Sequence, residues 1–191
     1  SPDWLEAEVA FSPDGRYAYY SGLAGTVYDG KKPEEIDPKW PNGRVYRHDL
    51  TRPGANPEPF FDLPLPDWNT TRYWMPSAWD HRCASAGVDV DPQGNVYIGD
   101  LVNQQVVAVS PQGKLLSKTP APWPDRVRVH PKTGDLYVVV RAVSRGYRSP
   151  DKLIKIRGRG DAAKVVAELP TKERGNTEFT LDARGGTPAL W

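Results

Sequence analysis

Cysteine is almost missing from this chain of 191 residues, in which Cys83 is the only one. A lone thiol closes no internal disulfide and makes neither a C-x-x-C metal site nor a haem attachment. Charge of one sign is missing too: 25 basic against 24 acidic side chains leave a formal net charge of +1. A chain with no basic field is not expected to hold a phosphate backbone, so nucleic acid is not an expected partner. Long apolar runs are absent, the longest being Leu136 to Val140, far short of the roughly 20 residues that cross a bilayer as a helix. No Ser-His-Asp order, glycine-rich phosphate loop or H-E-x-x-H occurs, and His48, His81 and His130 fall in unrelated places. The opening Ser1-Pro2-Asp3-Trp4 has neither an initiator methionine nor the regions of a signal peptide, so the native N-terminus is expected to lie elsewhere.

What is abundant is turn chemistry. Twenty prolines and 17 glycines stand between short β-branched and aromatic runs, the punctuation of an all-β chain. The punctuation repeats. Glu8-Val9-Ala10-Phe11-Ser12-Pro13-Asp14-Gly15 leads into Arg16-Tyr17-Ala18-Tyr19-Tyr20, and Gly87-Val88-Asp89-Val90-Asp91-Pro92-Gln93-Gly94 leads into Asn95-Val96-Tyr97-Ile98. A third copy runs Val127-Arg128-Val129-His130-Pro131-Lys132-Thr133-Gly134 into Asp135-Leu136-Tyr137-Val138-Val139, with one extra turn residue; a fourth begins at Phe179-Thr180-Leu181-Asp182.

Ser/Asp/His-Pro-x-Gly reverses the chain for a physical reason: proline presets φ near −65° and glycine accepts the positive φ that follows. His130 occupies a slot filled elsewhere by Ser12, Asp91 and Asp182, and so reads as a turn residue. Further strands follow each hairpin: 43–50 in the first unit, 105–109 and 114–116 in the second, 152–156 and 164–169 in the third. Each unit is therefore expected to be a four-stranded antiparallel meander. The prolines Pro92 and Pro131 are about 40 residues apart, the period of a propeller blade, whose faces are buried only against neighbouring blades. The fold class predicted is all-β, built of propeller blades in an incomplete ring. Insertions lie at 29–42, 62–82 and 142–151. The predicted organisation is blade 1 over about 5–61, a loop insertion at 62–82, blade 2 over about 83–120, blade 3 over about 121–172 and the start of blade 4 over about 173–191.

The second unit resembles an NHL repeat in the run from Gly94 to Asp100, then Asn103, then Val106 to Leu115; the first and third units depart from it, with Ser21 and Val140 in place of Asp100. The Ser12-Pro13-Asp14-Gly15 turn is shared with the related SMP-30-type, lactonase-like propellers. The resemblance implies a six-bladed ring, so three blades and a fraction need partners: the remaining blades of a longer chain, or a second copy. It also implies a site at the mouth of the central channel, where SMP-30-type lactonases hold a divalent metal through Glu, Asn and Asp. The positions matching the metal-binding Asn are Ala7, Ala86, Asp125 and Thr177. Asp125 is thus the one ligand to nominate for calcium or zinc, whereas a hard cation wants about six oxygens. Glu8, Arg126 and Glu178 are its neighbours at the predicted channel mouth, and Arg141 stands in a loop able to meet an anionic ligand. Asp100 and Asn103 are expected to bond backbone amides in a turn.

The least scaffold-like stretch holds Trp68, Tyr73, Trp74, Met75, Trp79, His81 and Cys83 within 62–83. Aromatic faces there suit stacking on sugar rings, and self-burial of a long loop is the plainer alternative. Asn69-Thr70-Thr71 matches a glycosylation acceptor, meaningful in a eukaryotic secreted protein. Two functions are carried forward. One is a binding platform for a protein or carbohydrate ligand, outside the cytoplasm or in the bacterial envelope. The other is a metal-dependent lactonase or related hydrolase in which a cation polarises a carbonyl and activates water.

Overall fold

A computed structural model describes residues 8–21, 43–64, 85–140, 143–144, 147–148, 152–171, 179–182 and 189–190. Three four-stranded antiparallel sheets dominate it. The first contains β1 (Glu8–Phe11), β2 (Tyr17–Ser21), β3 (Arg44–Asp49) and β4 (Glu58–Asp62) in sequence order. The second contains β5 (Ser85–Val90), β6 (Val96–Asp100), β7 (Gln105–Val109) and β8 (Leu115–Pro120). In the third, β9 (Pro124–Val129) and β10 (Leu136–Val140) are followed by a short hairpin, β11 (Val143–Ser144) with β12 (Tyr147–Arg148), before β13 (Lys152–Arg157) and β14 (Lys164–Pro170) complete the sheet. A last pair, β15 (Leu181–Asp182) with β16 (Ala189–Leu190), begins a fourth unit. These are propeller blades, and the described strands do not close a ring. Among the described residues no helix is long and apolar enough to cross a membrane.

Period-2 alternation distributes each blade's side chains between two neighbours. From the second sheet, Val96, Ile98, Val107 and Val109 join Tyr19 and Val45 of the first. Tyr97, Val106 and Ala108 point the other way and pack with Val127, Leu136, Val138 and Ile154 of the third. Tyr137, Val139 and Leu153 leave the far face of the third sheet, where Phe179 and Leu181 meet them. Each fully buried Val, Ile or Leu contributes about 1.5–3 kcal/mol relative to exposure, so the interfaces between blades are where stability accumulates.

The repeated turn explains the local chain path. Asp91 accepts from the amides of Gln93 (3.0 Å) and Asn95 (2.8 Å), while Gly94 N–H closes the turn on the Asp91 carbonyl at 2.9 Å. Gly94 sits at φ 83°, in the region that favours glycine. The Ser12 hydroxyl takes the Tyr17 amide at 2.8 Å, and His130 Nδ1 takes the amides of Lys132 (3.3 Å) and Thr133 (3.1 Å). Serine, aspartate and histidine can each occupy this slot because each offers an acceptor to a backbone amide of the turn or of the strand that follows, although the amide taken differs from turn to turn.

Packing of one blade on the next is tight at Gly87. A Cβ there would lie 2.4 Å from the Val127 nitrogen and 2.8 Å from the Arg126 Cα. The first strands of the second and third blades are thereby allowed to approach backbone to backbone.

Candidate functional site

The first strands of the three sheets lie side by side and form a hub of charged groups. Val88 N–H, on β5, donates to the Glu8 carboxylate on β1 at 3.1 Å, and Val129 N–H, on β9, donates to Asp89 on β5 at 2.7 Å. Each first strand is thus tied to the next through a carboxylate, in addition to its apolar packing.

Glu8 reaches furthest. Its Oε1 lies 3.1 Å from Arg126 Nε, and its Oε2 lies 3.2 Å from Arg128 Nη1. One carboxylate of the first blade therefore meets a backbone donor of the second and two guanidiniums of the third. Arg126 Nη1 also lies 3.8 Å from the Asp125 carboxylate. Arg128 donates to the Val127 carbonyl at 2.7 Å, and its guanidinium stands 5.8 Å from the centre of the Phe179 ring. The side chains of Arg126 and Asp125 are almost fully buried, whereas Arg128 keeps 29% of its surface in contact with solvent. Burial pushes the Asp89 carboxyl above its ordinary range, against the opposing pull of the Val129 amide and the Arg128 charge; Glu8 adds to the rise.

Of the expected channel-mouth residues, the structure brings Glu8, Asp125 and Arg126 together. Glu178 and Arg141 lie outside the described residues, as do Trp68, Tyr73, Trp74, Trp79 and His81 of the aromatic segment. Sequence reasoning passed over Arg128 and Asp89. Arg128 had a signal: it stands two residues after Arg126 on one strand, so period 2 places both on one face. Asp89 interrupts Val88 and Val90 as a lone acid in an apolar strand, a weaker signal.

The described residues do not fit a divalent cation at this hub. Among them no three His, Cys, Asp or Glu side chains gather as a ligand group, and a hard cation takes six to eight oxygens. Glu8 is engaged by two guanidiniums, and the nominated Asp125 has Arg126 as a neighbour. A cation would have to compete with fixed positive charge for both carboxylates.

Asp100 is a structural acid. Completely buried at the end of β6, it accepts from the Asn103 amide at 3.0 Å, from Asn103 Nδ2 at 2.8 Å and from Gln105 Nε2 at 2.8 Å. Asn103 also donates to the Pro64 carbonyl at 2.8 Å, joining the turn to the segment that leaves the first blade. At the corresponding strand end of the first blade, Ser21 is also buried and donates to the Ala86 carbonyl of the second.

Fold and hub together define an all-β, blade-repeat protein whose described charged centre is built of ion pairs shared between blades. No protein-family model and no curated protein sequence matches the chain. Similar solved structures include a calcium-binding protein, regucalcin, from Agrobacterium tumefaciens, at 16% identity and a TM-score of 0.43, with 69% of this chain and 36% of that one covered. A gluconolactonase from Xanthomonas campestris is similar at 20% identity and a TM-score of 0.42, covering 71% of this chain and 35% of that one. A catalytically inactive virginiamycin B lyase from Staphylococcus aureus, in complex with quinupristin, is similar at 11% identity and a TM-score of 0.45, covering 90% and 57%. The chain spans less than two thirds of the length of each of these structures.

Proposed function

We propose that this chain is part of a β-propeller that serves as a rigid binding platform, with a ligand received at the hub and with the remaining blades, or a second copy, completing the ring. The observation that supports this reading is the pairing of Glu8 with Arg126 and Arg128 across three blades. In this reading the charged groups of the first strands hold a scaffold in one shape and present polar chemistry on it, and among the described residues they do not gather as a set of metal ligands. The aromatic segment with Trp68, Trp74 and Trp79 supplies faces for a carbohydrate ligand. In this reading the protein works outside the cytoplasm or in the bacterial envelope.

The deciding experiment titrates the full chain with calcium and with zinc, assays lactone hydrolysis, and in parallel measures glycan binding by tryptophan fluorescence. Glycan binding that is weakened by Trp74→Ala and indifferent to metal is the expected result. Metal uptake with lactone hydrolysis, both lost in Asp125→Ala, would overturn the platform reading in favour of a metal-dependent lactonase.

A further inference from the structure

Among the described residues, the donors that hold the Glu8 carboxylate belong to other blades. Val88 N–H comes from the second sheet, and the guanidiniums of Arg126 and Arg128 come from the third. Both arginines have a second anchor. Arg126 has Asp125 at 3.8 Å. Arg128 has the Val127 carbonyl at 2.7 Å and the Phe179 ring. The cradle is therefore organised without Glu8. Guanidiniums recognise carboxylates by shape as well as charge, through paired N–H donors that a neutral group or a spherical ion does not match.

We propose that Val88 N–H, Arg126 and Arg128 form a carboxylate-binding site at the hub, which Glu8 fills from within the chain and which a carboxylate ligand enters by displacing it. The proposal rests on the binding-platform reading and names the class of ligand. Entry is open on one side. Arg128 retains solvent contact while Arg126 is enclosed, so an incoming carboxylate meets Arg128 first and Arg126 after Glu8 has moved. Glu8 is the first residue of β1 and pairs there only with Ser21, so its side chain swings away without unzipping the strand. With Glu8 gone, the Val88 N–H and the two guanidiniums lose the carboxylate that bridges them, and an added carboxylate supplies it again. Asp89 stands beside the cradle with its Oδ2 accepting from the Val129 amide, and it feels the charges of both Arg128 and Glu8.

The test uses the full chain, its Glu8→Ala variant, and acetate as the probe, with acetamide as the neutral isostere and chloride at equal ionic strength. Glu8→Ala is expected to unfold at a lower temperature than the parent, and acetate is expected to restore it in a concentration-dependent way while acetamide and chloride do not. Acetate is expected to bind Glu8→Ala about tenfold or more tightly than the parent, in which it must compete with Glu8, and to lose that advantage when Arg128→Ala is added. Should Glu8→Ala fail to fold, Glu8→Gln keeps the side-chain length, and acetate must then shift the Val88 amide resonance in that variant. Equal responses to acetate and chloride, or no response of the variant to acetate, would overturn the proposal. A chain that binds glycan with an inert cradle keeps the platform reading and removes only this site.

Discussion

Glu8 and Arg126 lie 3.1 Å apart although two different blades carry them and a third blade stands between. Arg128 and the Val88 amide share the same carboxylate, so this one side chain couples three sheets. Breaking a mostly buried pair by removing one partner leaves the other charge short of compensation, a cost of about 3 kcal/mol at the lower end of the usual range. Glu8→Ala is expected to lower the urea midpoint accordingly, with an unchanged slope. A loss within a few tenths of a kcal/mol would mean that the blades are held by apolar packing alone.

Two glycines are expected to respond differently to alanine. At Gly15 a Cβ meets nothing within 4 Å and the burden is only the φ of 69°, which costs about 1–2 kcal/mol. At Gly87 the Cβ collides with the backbone of Arg126 and Val127, and atoms of the backbone have no rotamer to escape into. Gly87→Ala should cost more than Gly15→Ala, about 3 kcal/mol or beyond, and should disturb hub contacts detectable as amide shifts at Val127. Equal losses in chemical denaturation would refute this.

Asp135 sets an acid limit. Burial raises its pKa, but Lys155 at 3.0 Å and Arg157 at 3.6 Å outweigh that, and the net shift is downward from 3.8. A carboxyl with a depressed folded pKa contributes stability that is complete above the unfolded value and is lost as pH falls through the folded one. Stability is therefore expected to decline below about pH 3.8, and Asp135→Asn should be less stable at neutral pH while losing part of that acid dependence. The partner acts at the other end of the scale: the Lys155 pKa is raised above 10.5, chiefly by its hydrogen bond to Asp135, so its contribution is present below that value and fades as pH rises beyond it. Identical pH profiles for the parent and Asp135→Asn would remove the pair from the account.

Asp91 should matter more than the other turn acceptors. It holds two backbone amides, Asn95 Nδ2 at 2.9 Å and the buried Tyr97 hydroxyl at 3.0 Å, and Arg159 of the third blade stacks on the Tyr97 ring at 4.9 Å. Burial is the main force raising the Tyr97 pKa, and Asp91 adds to it. Ser12→Ala removes a half-buried turn acceptor, at about 1 kcal/mol. Asp91→Ala strands a buried hydroxyl as well, and should cost about 2–3 kcal/mol. Thermal unfolding of the two variants side by side tests the order.

Much of this was legible in the linear chain because it is local. Pro92 and Gly94 announce a turn, and the alternation in Val96-Tyr97-Ile98 announces a strand with two buried faces. Asp100 could be read as a turn acid from its spacing to Asn103. By contrast, the linear chain marks Glu8 only as a candidate at a channel mouth and does not single out Arg128, since nothing near either in sequence names its partner, 120 residues away.

The sequence by itself determined the all-β class, the blade period, the turn chemistry and which strand faces are apolar, because each depends on backbone preferences and side-chain alternation over a few residues. Only the tertiary structure decided what the charged residues of the first strands do. Ion pairs between blades depend on how the sheets stack and how near their backbones come, as at Gly87. That stacking placed one glutamate between two arginines and joined the first strands of three blades in a shared hub.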